Sequence, residues 1–162
     1  SLLEACIRRI SEKYGVQIYL EPGEACALNA GFLVTRVLDI VQNGDTKIAI
    51  LDMSAACHTP DVIEMPYRPP LYGADEPGVL SHTYRLAGPT CLAGDVIGDY
   101  SFPQPLQEGS LLVFGDMAIY TTCKNNTFNG MPLPSIYARR KNHTTLLARF
   151  SYSDFKSRLG HL

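Results

Sequence analysis

The sequence predicts a mostly-β fold: a C-terminal β-barrel or sandwich, preceded by the last helix-strand unit of an α/β (TIM-type) barrel and followed by a short helix. Three observations predict it. Residues 1–14 carry helical spacing and are followed at once by an alternating, β-rich run over 16–20. From residue 32 onward, strand-like runs recur between Pro- and Gly-bearing connections. Ser151, with Asp154 three residues on, then opens a final helix through residue 159.

The first helix rests on Ser1 and Glu4 in capping-box spacing, with Leu2, Leu3, Cys6, Ile7 and Ile10 at helical intervals and Gly15 placed to end it. One face is expected to be buried. Glu21 falls at the C-terminal end of the 16–20 strand, where barrels of this kind gather active-site side chains, and Pro22-Gly23 turns the chain away. One strand and one helix cannot close a barrel. The chain therefore divides into residues 1–30, the terminal portion of a barrel whose remainder this sequence does not contain, and residues 31–162, a β domain with a tail helix.

In the β region, residues 32–42 form a long strand candidate, Asn43-Gly44-Asp45 a hairpin turn, and residues 47–52 the return strand. Residues 80–86, 95–100, 110–116, 135–139 and 145–150 are further strands. Residues 66–78 hold four of the eleven prolines and two glycines, so they read as an irregular excursion, mobile or substrate-facing. The tail helix is expected to pack back onto the first segment.

Composition narrows the function classes. At 162 residues and 46% hydrophobic the chain can bury a real core. A net charge of −2 with no dense Lys/Arg run gives no reason to expect nucleic acid or an anionic membrane as partner. No apolar stretch approaches the ~20 residues of a membrane span, and the first residues do not read as an export signal. Five scattered cysteines form no CxxC pair and no metal-ligand spacing with the four histidines, which fits a reduced cytoplasm and no metal. The Asn-x-Thr triplets at Asn125 and Asn142 are accordingly not read as glycan sites.

The chemistry centres on Gly88-Pro89-Thr90-Cys91-Leu92-Ala93-Gly94-Asp95, which sets a thiol and a carboxylate in a turn-rich segment between two strand runs. Gly88, Pro89 and Gly94 fix or free the backbone there, so the thiol is held in one place. Upstream stands Ile18-Tyr19-Leu20-Glu21-Pro22-Gly23. Downstream stand Gly115-Asp116-Met117-Ala118-Ile119-Tyr120 and Asn126-Thr127-Phe128-Asn129-Gly130.

In that order, these motifs resemble the C-terminal half of the fold-type III pyridoxal-phosphate-dependent decarboxylases, the group holding ornithine, diaminopimelate and carboxynorspermidine decarboxylases. The resemblance runs from about residue 1 to about residue 155. It is strongest to the branch that acts on carboxynorspermidine and carboxyspermidine, giving norspermidine and spermidine in polyamine biosynthesis. It implies pyridoxal 5'-phosphate as cofactor and a cytoplasmic homodimer with shared active sites. The family's cofactor-bearing lysine and glycine-rich phosphate loop lie in the N-terminal barrel, so none of Lys13, Lys47, Lys124, Lys141 or Lys156 takes that role.

Carried over residue by residue, the resemblance makes Glu21 the acid that holds the proton on the cofactor's ring nitrogen. Gly23 becomes the glycine whose amide approaches the cofactor phosphate, and Tyr120 the tyrosine that gives its hydroxyl to the same phosphate. Cys91 becomes the thiol that protonates the α-carbon after carbon dioxide leaves, delivered across the dimer interface. A thiol suits this because its ordinary pKa, ~8.5, lets it give up and recover a proton. Phe128 matches an aromatic lining the pocket, and Asp95 an acid beside the cysteine.

Two positions depart from the family pattern. Glu24 stands where an arginine usually follows Glu-Pro-Gly, and Leu92 where an acid usually follows the cysteine. Both departures remove support for diaminopimelate and ornithine as substrates. A longer polyamine carrying one carboxylate fits better, with Glu24, Asp61 and Asp95 as partners for its ammonium groups and His58 nearby in His-Thr-Pro-Asp. Two alternatives stay open: a diaminopimelate- or ornithine-type enzyme, and a non-catalytic homologue acting as a binding partner.

Overall fold

In the computed structural model, which describes residues 1–160, the first helix α1 spans Leu2–Tyr14. Its capping box closes in both directions between Ser1 and Glu4, and Gly15 ends it in the left-handed conformation at φ 62°. The expected buried face is absent. No residue of α1 is buried: Leu2 is 84% and Leu3 58% exposed, and Cys6 and Ile7 are only half-buried. Residues 16–20 likewise form no strand, since a strand needs a hydrogen-bonded neighbour and the described residues provide none. A short helix that the sequence did not predict, α2 (Gly23–Ala27), follows Pro22.

The β region is as expected in number and place of strands. β1 (Leu33–Asn43) and β2 (Thr46–Leu51) form the Asn-Gly hairpin, with Gly44 at φ 56°. β3 (His82–Ala87), β4 (Val96–Phe102) and β5 (Leu111–Phe114) complete a five-stranded sheet of order β4-β3-β2-β1-β5. Among the described residues only β2 and β3 run parallel, and a parallel pair requires a long crossover. Residues 52–81 supply it, carrying the short helices α3 (Ala55–His58) and α4 (Asp61–Glu64). That crossover walls the candidate site. β6 (Ile136–Arg140) and β7 (His143–Ala148) form a separate, largely exposed hairpin.

Bulges between Val37 and Asp39 and between Leu86 and Ala87 bend the sheet. Its concave side buries Val37, Leu51, Tyr84, Leu86, Tyr100, Leu112 and Phe114. The Pro-rich excursion proves to be packed, not loose. Leu71 bridges to Phe114 of β5 and Asp75 to Ser101 of β4, so one segment spans the two free edges of the curled sheet. The Tyr100 hydroxyl donates to Pro69 O at 2.8 Å, and the Gly115 amide donates to Pro70 O at the same distance. The excursion is irregular, as expected, because prolines cannot donate to a ladder.

The tail helix α6 (Tyr152–Arg158) starts on the expected Ser151–Asp154 capping box. It does not lie on the first segment. Its Phe155 and Arg158 share a cleft of about 380 Å³ with Met131, Pro132 and Leu133, and contact with α1 is slight. All five cysteines are free thiols. Among the described residues no helix is long and apolar enough to cross a membrane.

Phe114 is fully buried where β5, the excursion and the Tyr100 ring meet, with the ring centroids 6.1 Å apart. Phe114→Ala is expected to cost about 3–5 kcal/mol, read as a shift in the urea unfolding midpoint at unchanged slope.

Candidate functional site

The end of residues 16–22, the crossover and the turn after β5 meet around a cleft of about 1010 Å³. Its lining includes Glu21, Gly23, Glu24, Asp61 and Tyr120, five of the nine residues that the sequence singled out. It also includes Tyr67, Asp116, Thr121 and Lys124, which the sequence did not single out for a site.

Close packing brings these pieces together. Asp116 adopts φ 56°, and its Oδ1 accepts the Asn29 amide at 2.8 Å, while the Met117 amide donates to Gly31 O at 2.9 Å. A Cβ on Gly31 would lie 2.9 Å from that of Ala118, so only glycine lets the two segments approach this closely. The Glu21–Gly23 turn is thereby pinned near the Tyr120 turn. Gly23 has open space where a side chain would stand, as an approach by a bulky group requires, although its amide here donates to Glu21 O at 3.0 Å. Next to Tyr120, the Thr121 hydroxyl is buried without a partner among the described residues. Glu21, Gly23, Tyr120 and Thr121 thus offer one carboxylate, one unobstructed backbone position and two hydroxyls around one space. That set suits a flat ring with an anionic arm.

The cleft is acidic. Burial raises the Tyr67 phenol above its ordinary pKa, and the negative charges of Asp61, Asp116 and Glu24 raise it further. Lys124, the only cation in the lining among the described residues, reaches Asp61 Oδ1 at 2.6 Å and Glu64 Oε2 at 2.8 Å. Those hydrogen bonds raise its pKa, so its amine stays protonated and is a poor nucleophile.

Four expected site residues lie elsewhere. Asp95 does not face the cleft. It is 3% exposed, its Oδ1 accepts from Ser54 Oγ at 3.0 Å and the Ala55 amide at 2.6 Å, and its Oδ2 accepts from Thr90 Oγ1 at 2.6 Å and the Thr90 amide at 3.2 Å. Such a carboxylate has no lone pair left for a ligand, so Asp95 is a brace in place of the expected substrate contact. His58 is also turned inward. Its Nδ1 accepts the Ser54 amide at 3.1 Å, which leaves the hydrogen on Nε2 to be donated to Pro132 O at 3.0 Å. Phe128 does not line the cleft, and its carbonyl accepts from the buried Cys57 thiol at 3.5 Å. Cys91 is exposed, outside the cleft, on the loop that Asp95 braces, so it is held in place as the sequence led us to expect.

Comparison with known proteins bears out the resemblance. Residues 13–118 match the C-terminal sheet domain of pyridoxal-dependent decarboxylases. Carboxyaminopropylagmatine decarboxylase of Synechocystis sp. is 45% identical over 146 residues, covering 90% of this chain and 38% of the relative. Carboxynorspermidine/carboxyspermidine decarboxylase of Campylobacter jejuni is 44% identical over 168 residues, covering 96% of this chain and 44% of the relative. The crystal structure of carboxynorspermidine decarboxylase from Campylobacter jejuni, complexed with norspermidine, superposes with a TM-score of 0.81 at 42% identity, covering 95% of this chain and 45% of that one. The chain therefore spans less than half the length of each.

Two outcomes follow for the inward-facing residues. A Cβ on Gly88 would collide with the Asp95 carboxylate, so Gly88→Ala and Asp95→Ala are each expected to cost about 1–3 kcal/mol. Because both break one network, the double variant should cost less than the sum in urea unfolding. Burial lowers the His58 pKa. The unfolded state then binds more protons, so this contribution is fully present above the unfolded value of ~6.5 and is lost as pH falls through it toward the depressed folded value. Melting temperature at pH 7.5 and 5.5 should drop more in the wild type than in His58→Gln; equal drops would remove His58 from the acid response.

Proposed function

The chain belongs to the pyridoxal-dependent decarboxylases, within their C-terminal sheet domain, and on that premise we propose that it forms part of an enzyme that decarboxylates carboxynorspermidine and carboxyspermidine. What carries this reading is the convergence of Glu21, Gly23 and Tyr120 on one acidic cleft with Glu24, Asp61 and Asp116. Residues 1–30 would belong to the barrel and residues 31–162 to the sheet domain. The exposed apolar face of α1 and the unpaired run at 16–20 support that division, since both need further barrel elements as neighbours.

When bound, pyridoxal 5'-phosphate supplies an electron sink for the carbanion left as carbon dioxide departs. The Glu21 carboxylate would hold a proton at the ring nitrogen, which would strengthen that sink. Gly23, with open space beside it, would admit the phosphate, and the Tyr120 hydroxyl would donate to it, with Thr121 beside it as a second hydroxyl. Cys91 would donate the proton that replaces carbon dioxide on the α-carbon. Its exposed position outside its own cleft supports service to a partner subunit's site in a homodimer. Free cysteines and the absence of a membrane-crossing helix among the described residues fit a cytoplasmic enzyme.

The cleft's charge also bears on substrate. Glu24 and Asp116 repel a second, distal carboxylate such as diaminopimelate carries, and they attract ammonium groups. The Synechocystis relative keeps a second substrate, carboxyaminopropylagmatine, in view. For the full-length, cofactor-loaded protein, kcat/KM for carboxynorspermidine or carboxyspermidine should exceed that for diaminopimelate and ornithine by roughly ten- to a hundredfold. A win for ornithine or diaminopimelate sinks the assignment, and a win for carboxyaminopropylagmatine replaces it. Cys91→Ala should lower turnover by about a hundredfold with cofactor retention intact; unchanged turnover would remove Cys91 from the reaction.

A further inference from the structure

Lys124 closes the short helix α5 (Tyr120–Cys123) and reaches across the cleft to the crossover. Its Nζ contacts Asp61 at 2.6 Å and Glu64 at 2.8 Å, and stands over the Tyr120 ring at 4.7 Å from the centroid. Asp61 and Glu64 lie three residues apart on one face of α4. Two carboxylates and an aromatic face are what a primary alkylammonium binds. The chain's own lysine therefore fills an ammonium site of the chemistry that a polyamine seeks. On the other side of the cleft, Glu21, Glu24 and Asp116 form no ion pair among the described residues.

We propose that Lys124 is a specificity-determining residue: by occupying the ammonium site of Asp61, Glu64 and Tyr120, it limits how many positive charges a bound polyamine can place in the cleft. The inference rests on the polyamine reading given above. With Lys124 in place, ligand ammonium groups are confined to Glu24 and Asp116, and a chain with one more amine finds its last partners taken. Lys124 itself is partly exposed, at 38%, so its replacement leaves the core untouched.

The test uses the full-length, cofactor-loaded protein, with calorimetric Kd values for norspermidine, a triamine, and spermine, a tetraamine. Lys124→Met should tighten spermine relative to norspermidine by roughly two- to fivefold, the range open to partly exposed ion pairs. Lys124→Arg should keep the wild-type ratio, and adding Asp61→Asn and Glu64→Gln to Lys124→Met should abolish the gain. An unchanged ratio in a folded Lys124→Met protein overturns the proposal. So does a gain that survives loss of both carboxylates, or a loss of cofactor retention without any change in polyamine ratio, which would assign Lys124 to the phosphate. Failure of the wild type to bind either polyamine sinks the substrate reading itself and this inference with it. A measurement on the wild type stands beside these: acetylation of Lys124, followed by mass spectrometry, should be no faster with saturating norspermidine. Acceleration would mean that the ligand displaces Lys124, and the proposal falls.

Discussion

The carboxylate of Asp95 is the joint on which the two halves of the functional architecture depend. A buried carboxylate is costly unless its lone pairs are taken up, and here Ser54, Ala55 and Thr90 take them up from both sides. Ser54 and Ala55 begin the crossover, whereas Thr90 precedes Cys91. One buried charge therefore fixes the position of the thiol loop against the wall of the cleft. The bracing continues inward, because the Ser54 hydroxyl also accepts the Cys57 amide and the Ser54 amide fixes the tautomer of His58. His58 in turn holds Pro132, at the edge of the cleft beside the tail helix. Residues 54–58 thus couple three surface features without touching a ligand.

On the proposed reading the cleft has to accommodate opposite charges, and its lining offers chemistry of different kinds for them. Its carboxylates Glu24, Asp61 and Asp116 give it a negative field, offset in part by Lys124. The groups suited to an anion are neutral: the bare backbone at Gly23 and the hydroxyls of Tyr120 and Thr121. Neutral donors can hold a phosphate without cancelling the field that attracts amines. Because the cleft is open to solvent, salt screens that field over a Debye length of about 8 Å, so close contacts decide more than net charge.

Much of this was legible in the sequence because it is local. The Ser1–Glu4 and Ser151–Asp154 boxes, the Asn43-Gly44 turn and the alternating strands are written within a few residues of one another, and all appear in the fold. What failed depended on partners far along the chain. The run at 16–20 has strand composition, yet a strand exists only with a neighbour. Asp95 and His58 carry functional side chains, and only burial reveals that both are consumed by internal hydrogen bonds. Lys124 meets Asp61 across 63 positions, a pairing that no spacing rule indicates. Glu21, Gly23 and Tyr120 were singled out because their motifs are distinctive, and that they line one cleft could be seen only in three dimensions.

The excursion at 69–76 has a consequence for how the protein behaves among its own copies. The outer strands of an open sheet present unpaired amides and carbonyls on which another chain can add a strand. Here Leu71 and Asp75 cap β5 and β4 from outside, and the prolines around them lack the amide that a growing ladder would need. Pro66 and Tyr67, just before this excursion, line the cleft, so the stretch that runs on from the cleft wall also shields the sheet against edge-to-edge self-association. Loosening the chain at Pro66 and Tyr67 to widen the cleft would slacken the residues that follow and expose those edges, so a wider cleft would come with a greater tendency to aggregate.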